Sequence, residues 1–261
     1  MSPAVADEAR LFRTLVRKEL LMAVRYPLNF VIMFGWTLLL FLGLVFGGEY
    51  ASADAIIDSL AGVVVGFFLY TMAIRAFQST VTTISAEAKI GTLQQLYMTP
   101  FGMVRVLAYT GVVHVLIAFG FGFVLLPVML VVTGQTLSLT LVPVVTVAAL
   151  GLVSIASVGF ALGGLAILYK NVSNLTSLLM LPMAALIAVP ADRYPLVEFL
   201  PLTLSSHLLQ RVMVDGLTMT ELPVASLGLL VVKAVAYFAV GAWVLTKCQR
   251  RARRLGTLGD Y

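Results

Sequence analysis

The feature that most constrains this chain is a series of long apolar stretches almost free of charge. Residues 28–47 and 141–168 carry no charged side chain at all. Residues 56–77 carry only Asp58 and Arg75, 106–132 a single histidine, His114, and 224–246 a single lysine, Lys233. A sixth stretch, 175–189, is uncharged but short, contains Pro182 and ends at Pro190. About 20 apolar residues in helical form cross a bilayer core of roughly 30 Å. No stretch alternates with period two over about ten residues, as the strands of a membrane β-barrel do. Of the 261 residues, 61% are hydrophobic and 11% charged, against roughly 45–50% and about 25% in soluble domains. The expected fold class is therefore all-α, a polytopic membrane protein with six transmembrane helices. Little chain remains for a large soluble domain, and the single cysteine, Cys248, excludes an intrachain disulfide framework.

Charge sets the expected orientation, because basic residues accumulate on the cytoplasmic side of spans. Arg10, Arg13, Arg17, Lys18 and Arg25 precede the first stretch, and Lys247, Arg250, Arg251, Arg253 and Arg254 follow the last. Both termini are thus expected in the cytoplasm, which requires an even number of crossings and favours counting 175–189 as the fifth of six. In that arrangement fourteen of the 17 lysines and arginines lie inside, Arg193 and Arg211 lie outside, and Lys233 lies within a span. The net charge of +5 then reflects basic residues facing anionic lipid headgroups and not a nucleic-acid surface. No cleavable signal peptide is expected, since the first apolar stretch is too long for one and further spans follow it.

Three segments outside the stretches carry pattern. Residues 1–27 form an expected cytoplasmic N-terminus whose positions 8–26 are amphipathic. Leu11, Phe12, Leu15, Val16 and Met22 share one side of a helical wheel and Arg10, Arg13 and Arg17 the other, as in a helix lying in the membrane interface. Glu19 falls on the apolar side, against the pattern. Residues 79–102 are too polar to face lipid and too long for a tight turn. Within them Ile90, Leu93, Leu96 and Tyr97 recur at helical spacing up to Pro100. That apolar face needs cover from either the membrane or a partner. Residues 190–223, the one sizeable outer segment, predict two short helices split near Pro201 and Gly216, with Leu200, Leu204, Leu208 and Leu209 as the apolar face of the first. Residues 28–246 thus make up the transmembrane domain and 247–261 a basic cytoplasmic tail. In the fourth stretch Gly159 and Gly163 form a small-xxx-small pair that permits close helix packing.

Catalytic chemistry is sparse. His114 and His207 are the only histidines, no metal-ligand spacing occurs, and no serine stands in a G-x-S-x-G setting. No G-x-x-x-x-G-K-[ST] is present, so no enzymatic role and no cofactor bound by this chain are expected. Carriers driven by ions usually place carboxylates within the membrane, and only Asp58, near a span end, qualifies. Lys233 is a candidate charge on a translocation path, with the alternative of an amine paired to a neighbouring polar group. His114 is expected to be a hydrogen-bonded packing residue, and Arg75 to snorkel to the inner surface.

The run Glu87-Ala88-Lys89-Ile90-Gly91-Thr92-Leu93-Gln94-Gln95-Leu96-Tyr97-Met98-Thr99-Pro100 resembles the signature that follows the second span in type 2 ATP-binding-cassette exporter permeases. The outer stretch Leu200-Pro201-Leu202 through Gln210-Arg211 to Asp215-Gly216 resembles a second pattern of that family before the last span. Six spans, the amphipathic start and the chain length agree with it. Gln94 departs from an acidic residue common at its position, and Ala88 and Ile90 interrupt the usual charged run. The resemblance implies a membrane subunit of an exporter in the plasma or inner membrane. It would pair with a second permease, a copy or a paralogue, and be driven by two separate ATPase subunits that hold ATP and Mg. It further implies a coupling helix over about 87–100, with Glu87, Lys89, Ile90, Gly91, Thr92, Leu93, Gln94, Leu96, Tyr97, Thr99 and Pro100 at the ATPase interface. Pro201, Arg211 and Gly216 would belong to a helical or re-entrant outer segment, about 190–223, bounding the exit.

The expected cargo is a small amphipathic, drug-like or lipid-like compound. A permease for lipid-linked polysaccharide is the sibling reading, for which Phe34, Trp36, Phe41, Phe67, Phe68 and Tyr70 supply aromatics. An ATP-independent carrier or channel is the alternative from a different class.

Overall fold

The computed structural model describes residues 3–50, 60–90, 99–169, 173–188 and 195–254. Among these every regular element is a helix. In chain order they are α1 (Pro3–Arg25), α2 (Pro27–Tyr50), α3 (Leu60–Ile90), α4 (Met103–Thr133), α5 (Leu141–Tyr169), α6 (Ser173–Ala188), a 3-10 turn (Pro195–Phe199), α7 (Thr203–Met213) and α8 (Val224–Arg254). Five of them, α2, α3, α4, α5 and α8, are long and apolar enough to cross a membrane. The chain is a helical multi-pass membrane protein. α6, at 16 residues and about 24 Å, is shorter than a bilayer core, and the expected sixth crossing rests on it. The end of the bundle that carries Ile90, Met103 and Arg254 is called the basic end below, and the opposite end the distal end.

α5 lies at the centre because its small residues let neighbours approach on two sides. A methyl group at Gly159 would sit 3.1 Å from the Phe77 carbonyl oxygen of α3, and one at Gly163 would overlap Ile84. On the other side a methyl at Gly241 of α8 would overlap the Ser157 carbonyl oxygen. Phe68, Phe77, Leu125, Met129 and Leu152 fill the remaining core with almost no exposure. The hydroxyls of Ser154 and Ser157 bond back to the carbonyls of Leu150 and Val153 at 3.0 and 2.6 Å, so this polar face carries no unmet donor.

At the basic end α3 runs unbroken through the polar segment to Ile90, and Thr80, Val81 and Ile84 are buried. The reason is local, since Thr80 and Thr82 donate to the carbonyls four residues back at 2.8 Å and so cancel their own polarity. The last helix likewise continues past Thr246 to Arg254, with Cys248 and Ala252 packed inside.

α1 and α2 are separated by Tyr26 alone, where Pro27 starts a new helix. On α1 the expected apolar face holds for Leu11, Phe12, Leu15 and Val16, all half-buried, but Met22 is exposed. α2 is exposed along most of its length, with Val31, Ile32, Trp36 and Leu39 facing outward, as lipid-facing side chains do. At the distal end α4 stops where Gly134 takes a left-handed φ of 65°. The segment from Pro195 to Met213 then folds back into the bundle.

Candidate functional site

Three constellations concentrate the polar chemistry. The first is the α3–α4 connection at the basic end. Glu87 is half-buried in the last turns of α3, and Lys89 and Ile90 close that helix. Gly91, Thr92, Leu93, Gln94, Leu96 and Tyr97 lie outside the described residues. Thr99 and Pro100 form a turn in which the Gly102 N–H donates to the Thr99 carbonyl at 3.1 Å, and Gly102, at φ 73°, leads into α4.

α1 braces this connection along the first three turns of α4. Glu8 pairs with Arg105 at 3.4 Å, Phe12 meets Tyr109 edge-on at 6.3 Å, and the Glu19 carboxylate lies 3.9 Å from His114 Nε2. The contacts fall in the same order along both helices, so α1 follows α4. The exposed Glu8–Arg105 pair is worth little. The Glu19–His114 pair is different, because His114 is 5% exposed. Its Nε2 also lies 3.5 Å from the Thr83 hydroxyl of α3, while its Nδ1 has no partner. Thr80, Thr83, Thr110 and Phe160 wall a space too small for a water molecule. Hydrogen bonding to His114 and the nearby positive charge hold the Glu19 carboxyl below its ordinary value, against the opposing effect of burial. The misfit of Glu19 on the α1 wheel was the sequence signal for this pair.

The second constellation is at the distal end. Lys233 of α8 is 6% exposed and lies about 13 Å along the helix from Val224. Its ammonium donates to the carbonyl oxygens of Glu198 and of Leu200, the latter at 2.9 Å. One turn on, the Tyr237 hydroxyl donates to the Phe199 carbonyl at 3.0 Å. Three successive carbonyls at the end of the 3-10 turn are thereby tied to α8. Beyond them Leu202 adopts φ 70°, the one positive φ among described non-glycine residues, and α7 begins.

α7 is buried through Leu204, Leu208, Leu209 and Val212, but Leu200 is 42% exposed and does not join that face. The reason is the break at Pro201, which turns Leu200 away. After Gly216 there is no second α-helix among residues 217–223, only turns in which the Thr218 N–H and hydroxyl bond to Glu221 at 2.7 and 2.9 Å. Arg211 stands in the last turn of α7, where a positive charge suits the helix dipole. Pro201 is buried. Gly216 has φ 73°, with Ser138 packed where a side chain would sit. The Ser206 hydroxyl ties α7 to the Ile187 carbonyl of α6 at 2.8 Å.

The third constellation was missed from the sequence. Arg75 does not snorkel to the basic end. Its guanidinium lies over the Phe121 ring, 4.3 Å from the centroid, and donates to the Met33 sulfur of α2. Phe30 and Phe34 close on the same ring at 5.9 and 5.8 Å. Among the described residues no group of three or more His, Cys, Asp or Glu is arranged to hold a metal ion. No protein-family model and no curated protein matches this chain.

Proposed function

We propose that this chain is the membrane-spanning permease subunit of an ATP-binding-cassette exporter for a small amphipathic or lipid-like cargo. The observation that carries the reading is the run from Glu87 to Pro100, whose sequence resembles the coupling segment of type 2 exporter permeases. It falls at the connection between α3 and α4, the second and third long apolar helices. In this reading the basic end faces the cytoplasm, α1 runs along the cytoplasmic turns of α4 and not, as its amphipathic pattern predicts, flat in the membrane interface, and α6 makes a short sixth crossing. The coupling segment rests in a cleft of a separate ATPase subunit that covers Ile90, Leu93, Leu96 and Tyr97. Closure of two such ATPases pushes on α3 and α4, and the movement opens a path between two permeases toward the segment held by Lys233. The bracing of α4 by α1 supports the reading, because a push on the connection then moves three helices together.

Co-expression with ATPase subunits carrying a P-loop, followed by affinity purification of the permease, tests the partnership. A stoichiometric complex that Leu93→Arg disrupts, without changing the elution of the permease alone, is expected. Absence of any nucleotide-binding partner, or an unchanged complex with Leu93→Arg, overturns the assignment.

A further inference from the structure

Arg75 poses a problem that the rest of the fold does not resolve. It sits midway along the 31 residues of α3, about 22 Å from either end, and the polar side chains one turn away, Thr71 and Gln78, bond to the Phe68 carbonyl and the Met180 sulfur instead. An ionisable side chain at such a depth is costly and normally finds a counter-charge or lines a polar path. Among the described residues no carboxylate lies within ion-pair distance of Arg75. Its neighbours are a thioether and an aromatic face. A guanidinium has five N–H donors in a planar fork; Met33 takes one, weakly, and the Phe121 ring lies against the flat side. The fork edge remains available.

The surroundings say what kind of group would meet it. Arg75 is half-buried, and α2, whose Met33 meets the guanidinium, touches α4 through Phe30 and Phe34. The outer side of α2 is exposed from Val31 to Leu44, so in the membrane reading the apolar surface beside Arg75 faces hydrocarbon. A ligand approaching from that side needs an apolar tail, and one that pairs with a guanidinium fork needs two acceptor oxygens in a plane, as a phosphate or carboxylate offers.

We infer that Arg75, where α2, α3 and α4 meet, binds the anionic head of an amphiphile whose tail lies along the apolar flank of α2. The inference rests on the membrane reading of the chain and not on the ATPase partnership, and its test contains neither ATPase nor nucleotide. Native mass spectrometry of the detergent-purified protein, with phosphatidylglycerol and phosphatidylcholine added in turn, reads retention directly. Wild type is expected to retain phosphatidylglycerol at least tenfold more tightly than phosphatidylcholine. Arg75→Gln is expected to abolish the difference, and Arg75→Lys, which keeps charge but loses the fork, to retain part of it. Inorganic phosphate at millimolar concentration is expected not to compete. If Arg75→Gln does not fold, the comparison of Arg75→Lys with wild type carries the test. Equal retention of the two lipids by wild type, unchanged preference in the variant that folds, or displacement by free phosphate would overturn the proposal.

Discussion

The Glu19 carboxylate of α1 faces His114 Nε2 of α4 at 3.9 Å, and the same imidazole nitrogen lies 3.5 Å from the Thr83 hydroxyl of α3. One buried ring thus joins three helices just above the α3–α4 connection.

Glu19 supplies a pH dependence whose sign follows from its lowered pKa. A carboxyl held below its unfolded value stabilises the docked state above the ordinary carboxylate range, about pH 4, and loses that contribution as pH falls through its own lower value. Spin labels at Arg13 and Val112, both exposed, are expected to report one short distance at neutral pH. The distribution should broaden only in acid. Glu19→Gln should broaden it at every pH; a distribution narrow in that variant throughout contradicts the pairing.

The Lys233–Tyr237 clamp gives a second outcome. Tyr237→Phe leaves the Phe199 carbonyl without its side-chain partner and Lys233→Met leaves the Glu198 and Leu200 carbonyls without theirs, which loosens the hold of α8 on this turn. Hydrogen exchange should accelerate at the amides of residues 198–206 in both variants, more so in Lys233→Met, while α4 is unaffected. Uniform acceleration through the bundle would show instead that the lysine serves the whole fold.

Gly241 meets α5 so closely that any side chain must push the helices apart. Gly241→Ala is expected to cost roughly 1–3 kcal/mol by overpacking against the Ser157 backbone. Gly228→Ala on the same helix, with nothing within 4 Å, should be neutral or stabilising by up to about 1 kcal/mol through helix propensity. Thermal unfolding in detergent separates the two, and equal melting points would refute the close approach.

Leu202 reverses an ordinary preference. Its left-handed backbone costs an L-residue about 1–2 kcal/mol, yet its side chain is buried. Both Leu202→Ala and Leu202→Gly lose that burial, but glycine also relieves the backbone. Leu202→Gly should therefore be the more stable of the two by about 1 kcal/mol, read from the same melts.

How far the sequence carried depends on which forces are local. The spans at 28–47, 106–132 and 141–168 lie within a few residues of α2, α4 and α5, because absence of charge is visible in the chain itself. The α1 face was legible from Leu11 to Val16 for the same reason. That α3 continues past the apolar stretch ending at residue 77 was not legible, because Thr80 and Thr82 count as polar by composition, whereas their hydroxyls are spent on their own helix. Lys233 admitted two readings because its acceptors, the Glu198 and Leu200 carbonyls, are backbone atoms more than 30 residues away and leave no mark in side-chain pattern. Arg75 resisted for a similar reason, as nothing local announces that Phe121 will lie beneath it.

The central claim is that an external nucleotide-hydrolysing partner drives this chain through the segment from Glu87 to Pro100. The most direct measurement is export of a fluorescent anionic amphiphile from proteoliposomes containing the chain with its co-purified ATPase, with and without ATP and Mg. The account predicts movement only when ATPase and ATP are both present, lost in Leu93→Arg. Equal movement by the chain alone, without ATPase or nucleotide, would contradict it.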